Sequence, residues 1–379
     1  MFLKAFIKRE PVLFAALLLA VGAVCIVRPA AAVCVQAIDF RTLAILFSLM
    51  IVIKAFQSQN FLDFIAARLL RLCKTKRGLY FLLTYLVFFS SMFVTNDVAL
   101  LTFVPISLLI FRRIELPALH VVVLETLAAN LGSCITPMGN PQNLYLFSYY
   151  GFSALEFFAL TAKIALPSLF ILGVIIFFLT RKNTAFASNV LQTQVARLKV
   201  DFRTVFYFAD FVLCLLAVFH AVNYLIMLAV TVVVMAVCNW RLFKKVDYSL
   251  LLTFVGFFIF TKTLSTVPAF SDFIKSVLSS PLKTYLTGIA ASQVISNVPA
   301  ALLLSGFTEN GAMLLLAVNV GGLGTLIASM ASVISFKLYS ANTVVEPVET
   351  TAGHSYFAVF TAYNVVLLAV LGVVVYLSL

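Results

Sequence analysis

The chain has 379 residues, of which 63% are hydrophobic and 11% charged, with a net charge of +12. Its repeated apolar runs of about twenty residues match the ~30 Å hydrocarbon layer of a bilayer, which excludes a water-soluble enzyme and makes the excess of Lys and Arg a matter of membrane orientation rather than nucleic-acid binding. There is no phosphate-binding loop with its lysine, no CxxC among the six cysteines and no clustering of the three histidines, so ATP-driven chemistry, a metal centre and a resident cofactor are not expected.

The first apolar run, Pro11–Val27, follows Lys4, Lys8 and Arg9 and reads as a retained first span, although Ala30, Ala31 and Ala32 resemble a cleavage site. A second span covers residues 43–56. Residues 57–73 set Phe61, Phe64, Ile65, Leu69 and Leu72 on one face, the pattern of a helix lying on the membrane surface. Two runs follow, 79–94 and 98–111, about 24 and 21 Å long as helices and shorter than a bilayer core. Lys74, Lys76 and Arg77 flank one end and Arg112 and Arg113 the other, so the pair reads as a re-entrant hairpin (78–112) with Thr95, Asn96 and Asp97 at its tip. Span three, 116–150, is interrupted by Gly132, Pro137, Gly139 and Pro141, which cannot all continue a helix. Span four is 157–180.

Residues 181–203 form the longest polar stretch and divide a first half, 1–180, from a second, 204–379. Spans five (204–221), six (224–238) and seven (248–267) lead to a second surface helix, 270–282. A second short pair (284–307) has Ser296 and Asn297 at its tip. Span eight, 312–339, is interrupted at Gly321-Gly322-Leu323-Gly324, and span nine is 356–377. The expected fold is an all-α polytopic membrane protein of about nine spans plus two hairpins.

The polar islands recur in order. Thr95-Asn96 is echoed by Ser296-Asn297; Asn130, Gly132 and Thr136 by Asn319, Gly321 and Thr325; and Asn140 and Asn143 by Ser329 and Ser332. With the N-terminus cytoplasmic, only Arg28, Arg41, Lys163, Lys262, Lys275 and Lys283 of the 26 Lys and Arg fall outside. Five crossings separate the hairpins, so one opens from the cytoplasm and the other from outside. The repeats are therefore inverted, the C-terminus is outside, and the expected location is the cell (inner) membrane. A hairpin tip brings helix carbonyls and N–H groups together at mid-membrane, where they attract ions, and a broken helix passing the tip adds Thr136, Gly139 and Asn140.

The segments TNDVALLTFVP, ANLGSCITPMGNPQNL and SNVPAALLLSG resemble the ion transporter superfamily of arsenite permeases, sodium/proton antiporters, citrate-transporter-like permeases and divalent anion/sodium symporters. The resemblance runs from span two almost to the end. It implies a homodimer with a fixed scaffold and an elevator-like moving part, and it implies that Thr95, Asn96, Thr136, Pro137, Gly139, Asn140, Ser296, Asn297, Asn319, Gly321 and Thr325 surround substrate and coupling ion. Dicarboxylate symporters of the superfamily carry Ser-Asn-Thr at both tips; this chain has Thr-Asn-Asp and Ser-Asn-Val, the first closer to arsenite permeases. Span five has no counterpart in the first half.

The expected activity is secondary transport of a small anion, coupled to protons or sodium. Sodium/proton antiport and arsenite or antimonite efflux are rivals, and an ion channel is the competing class. Asp97 and Glu125 are the candidate coupling acids, since intramembrane acids are costly and usually functional; Asp210 reads as structural. Sodium, as coupling ion, is expected near Asn96, Asp97 and Gly139. The other expected partners are a small anion or oxyanion and the lipid bilayer, with no nucleic acid.

Overall fold

The computed structural model describes residues 10–70, 73–183, 185, 201–345 and 355–378. Eighteen α-helices and three short 3-10 turns account for nearly all of them. In chain order the helices are α1 (Pro11–Val27), α2 (Ala31–Gln36), α3 (Phe40–Ser58), α4 (Phe61–Leu70), α5 (Lys76–Val94), α6 (Asn96–Arg113), α7 (Leu119–Gly132), α8 (Pro141–Tyr150), α9 (Ala154–Leu179), α10 (Phe202–Val218), α11 (Tyr224–Asn239), α12 (Tyr248–Ser265), α13 (Pro268–Val277), α14 (Pro281–Ile295), α15 (Asn297–Ser305), α16 (Gly311–Val320), α17 (Met330–Val345) and α18 (Tyr356–Leu377). The helix starts follow from local chemistry. Asp39, Thr75, Ser153, Asp247, Ser280 and Ser355 each accept a first-turn N–H, and Pro11, Pro141, Pro268 and Pro281 occupy first positions where no N–H is needed.

Six of the described helical stretches are long and apolar enough to cross a membrane: α3, α5, α9, α11 with the 3-10 turn Trp240–Lys245, α12 and α18. The protein is a multi-pass membrane protein on this ground. Helices α1, α7 and α16 are apolar but shorter. Most of the 181–203 linker lies outside the described residues.

The fold departs from the sequence expectation in two respects. The arms of the first helix pair are 19 and 18 residues, not the shorter runs expected, because Lys76, Arg77, Arg112 and Arg113 are themselves helical; of the two, only α5 is both long and apolar enough to cross. The second pair is short as expected, 15 and 9 residues. Two small elements, α2 and the 3-10 turn Trp240–Lys245, were not anticipated; neither carries a periodic apolar face long enough to register.

Two buried cores run through the molecule. One joins α4–α7 with α9, α16 and α18; the other joins α1, α3, α8, α10–α12 and α15. In the second, α1 lies along α12, where a Cβ on Gly256 would come within 3.1 Å of the Ala16 backbone, and α3 packs on α10 and α11. Asp210 on α10 accepts from the Thr231 hydroxyl on α11 at 2.8 Å, consistent with its structural reading.

Candidate functional site

Two interhelical turns share one unusual backbone conformation. Thr95, between α5 and α6, has φ 69° and ψ 153°; Ser296, between α14 and α15, has φ 74° and ψ 155°. This region is nearly restricted to glycine, so a non-glycine residue there costs on the order of 1–3 kcal/mol that surrounding packing must offset. In each turn the next residue is a buried asparagine whose side-chain oxygen accepts the following N–H at 2.9 Å, Asn96 from Asp97 and Asn297 from Val298.

Each turn abuts a break in a helix. After α7, extended Thr136 and Asn140 bracket the 3-10 turn Pro137–Gly139. After α16, extended Thr325 and Ser329 bracket Leu326–Ala328. The threonine of each break donates to the carbonyl three residues before the neighbouring turn: Thr136 to Met92, and Thr325 to Gln293 at 3.0 Å. Glycine is required where the paired helices approach. A Cβ on Gly132 would fall 2.1 Å from the Phe88 carbonyl oxygen, and one on Gly321 would fall 2.8 Å from the Ser292 side chain.

The two breaks meet. Asn319 donates to Asn143 Oδ1 at 2.7 Å, and Asn130 donates to Ser332 Oγ at 3.3 Å. Asn130 Oδ1 in turn accepts from Ser329 at 2.8 Å and from Asn96 at 3.2 Å. The first turn, the first break and the second break are thus one buried network, as expected for groups withdrawn from water.

Beside this network lies a cavity of about 190 Å³. Thr95, Asn96, Asp97 and Asn140 line it, together with Met330 on α17. The opposite wall comes from α3 and α12 and includes Lys54 and Asp247. Asp97 follows the turn, and its Oδ1 is shielded from solvent without a hydrogen-bond partner. No side chain caps α6, whose cap residue is Thr95; the N–H of Asp97 is accepted instead by Asn96 Oδ1.

Other expected site residues lie elsewhere. Glu125 is buried between α6 and α7, accepting from the Ser107 hydroxyl, and does not line the cavity. Asn143 faces the first break itself, donating to the Ser133 and Cys134 carbonyls, both at 3.2 Å. Gly139 packs on Ser133, where a Cβ would be 2.2 Å from the carbonyl oxygen, and its N–H donates to Thr136 Oγ1. Of the trio expected around sodium, only Asn96 and Asp97 line the cavity. Pro137 is buried at the start of the first 3-10 turn. Ser296, Asn297, Gly321 and Thr325 gather at the second turn, Thr325 being exposed.

Two residues escaped the sequence reading. Gln293 organises the second break, accepting from Thr325 N–H at 2.9 Å and donating to the Gly321 and Leu323 carbonyls at 2.8 and 3.0 Å. Lys54 lines the cavity although it belongs to an apolar span. Among the described residues no group of three or more His, Cys, Asp or Glu is arranged to hold a metal ion.

Residues 4–310 match the family described as citrate transporter. An uncharacterized transporter, MJ0456, of Methanocaldococcus jannaschii is 34% identical over 310 residues, 80% of this chain and 82% of that protein. Inner membrane protein YbiR of Escherichia coli is 32% identical over 306 residues, 80% of each chain. The P protein of Mus musculus is 30% identical over 122 residues, 32% of this chain and 15% of that protein.

Proposed function

The chain belongs to the citrate transporter family, and on that premise we propose that it is a secondary active transporter of a small anion, driven by protons or sodium through alternating access. The observation that carries this reading is the pair of matching turns at Thr95 and Ser296, each held against its own broken helix, the two breaks bonded to each other beside a cavity.

The helix packing follows the same relationship. Helix α5 packs on α7 as α14 packs on α16, α6 on α17 as α15 on α8, and α7 on α18 as α16 on α9. That pattern supports two repeats, each of span, surface helix, hairpin, broken helix and span. The Lys and Arg bias supports an inverted arrangement with the N-terminus in the cytoplasm and the C-terminus outside. The length of α5 leaves its course open, and burial argues for re-entry: Asn96, at the start of α6, is 5% exposed and bonded to Asn130, whereas a full crossing would bring that turn to water.

Helices α1, α3 and α10–α12 would form the scaffold, and the hairpins and broken helices the moving part, in a homodimer working as an elevator. The cavity between α3, α12 and the first turn is then the cytoplasm-facing substrate site. Its volume is below the ~300–1,000 Å³ of drug-sized sites and suits a small carboxylate or oxyanion. Asp97, the acid at the turn, would carry the proton or the charge for sodium. Glu125, bonded to Ser107 away from the cavity, is the weaker candidate.

The test is counterflow. Proteoliposomes preloaded with citrate, other small carboxylates or arsenite should take up labelled external substrate faster than empty ones for at least one of these. Unitary current steps in planar bilayers would replace the carrier with a channel.

A further inference from the structure

Asp39 and Asp247 begin α3 and α12 in the same way, each accepting the N–H of the third residue on at 3.0 Å, from Thr42 and Leu250 respectively. Fifteen residues after each aspartate stands a lysine near the end of the helix, Lys54 and Lys262. Asp247 opens α12 and Lys54 nears the end of α3, yet both line the one cavity, so the two helices run in opposite directions there. Asp39 and Lys262 therefore belong to the opposite end of the same helix pair. The two helices carry one charge pattern twice, once at each end.

We propose that Lys54 is the cationic contact for the transported anion on the cytoplasmic side, and that Lys262 is its counterpart on the outer side. The inference rests on the transporter reading above. Lys54 is the one Lys or Arg lining the cavity, against two acids, Asp97 and Asp247. It donates to Gln57 Oε1 at 3.1 Å, and an ammonium group has three N–H donors. With Asp97 charged, an entering anion competes with it for Lys54. Once a proton or sodium ion neutralises Asp97, the remaining pair of Lys54 and Asp247 is balanced and Lys54 is available to the anion. Lys54 is part-buried beside both acids, where charges interact more strongly than in bulk water, so anion and driving cation enter together. A lysine on a scaffold helix thereby links substrate affinity to the coupling ion without touching it.

The experiment compares wild type, Lys54→Gln, Lys54→Arg and Lys262→Gln in right-side-out and inverted vesicles, with labelled citrate and arsenite as probes. Lys54→Gln should raise the half-saturating concentration about tenfold or more, as expected for a lost charge-assisted hydrogen bond, with substrate on the cytoplasmic face only. Lys262→Gln should do so on the outer face only, and Lys54→Arg, which keeps the charge, should raise it less than Lys54→Gln. Monodispersity in detergent identifies a variant that fails to fold, and the sidedness of Lys262→Gln then decides. Wild-type saturation by both glutamine variants on both faces overturns the inference and leaves the transporter reading standing. A wild-type protein that moves neither probe overturns both.

Discussion

Asn319 reaches Asn143 from one break to the other, its amide 2.7 Å from the Asn143 side-chain oxygen. One residue ends a helix before the second break; the other lies just after the first. Asn130 and Ser332 make the reciprocal bond at 3.3 Å. The two breaks therefore brace each other, and neither can unwind alone without exposing buried amide groups.

Removing that brace should be costly. Asn143→Ala leaves the Ser133 and Cys134 carbonyls and the Asn319 amide short of a partner, and should lower stability by about 1–3 kcal/mol. Asn143→Ala combined with Asn319→Ala should cost less than the sum of the single changes, because both remove one shared bond. Unfolding midpoints in detergent check this; strict additivity contradicts it.

The strained turns make the opposite prediction. Thr95→Gly and Ser296→Gly place the residue that tolerates φ near +70° where the backbone already has it. Each should hold or raise the unfolding midpoint, by up to about 1 kcal/mol, the relief being partly offset by greater freedom of the unfolded chain. A marked loss in both variants would mean that the side chains, rather than packing around the turns, hold them.

Glycine at the helix approaches should be indispensable. Gly132→Ala forces a methyl group to 2.1 Å from the Phe88 carbonyl oxygen and should prevent a monodisperse, folded preparation. Gly22→Ala, where nothing lies within 4 Å in the middle of α1, should be neutral or slightly stabilising. Size-exclusion profiles of the two variants make the comparison.

Accessibility tests the inverted arrangement. With Cys25, Cys34, Cys73, Cys134, Cys214 and Cys238 replaced, a cysteine at Asn96 should react with a small impermeant thiol reagent from the cytoplasmic face, and one at Asn297 from outside. Free labelling of position 96 from outside under every condition would make α5 and α6 ordinary crossings.

Much of this arrangement was legible in the sequence because polar residues in apolar runs are costly and stand out. Thr95, Asn96, Asn130, Thr136 and Asn140 identified the first turn and break, and the spacing of Asn319, Gly321 and Thr325 identified the second. What the sequence concealed was direction. Asn143 reads as a ligand, and the fold shows its side chain engaged by the Ser133 and Cys134 carbonyls and by the Asn319 amide. Glu125 reads as a coupling acid; it pairs with Ser107 on α6 and does not line the cavity. Lys54 counts as a flanking positive charge until the fold brings the end of α3 to the turn at Asp97. Its signal was the repeated spacing of Asp39 to Lys54 and Asp247 to Lys262. Helix ends were misjudged where basic residues continue an apolar helix, as at Lys76 and Arg113.

Asp97 is proposed to couple anion movement to a driving cation. Proteoliposomes containing wild type or Asp97→Asn, with an imposed proton or sodium gradient, measure it directly against exchange at equilibrium. Wild type should concentrate substrate, while Asp97→Asn should still exchange it but accumulate none above the equilibrium level. Asp97→Asn that concentrates substrate as fully as wild type would contradict it.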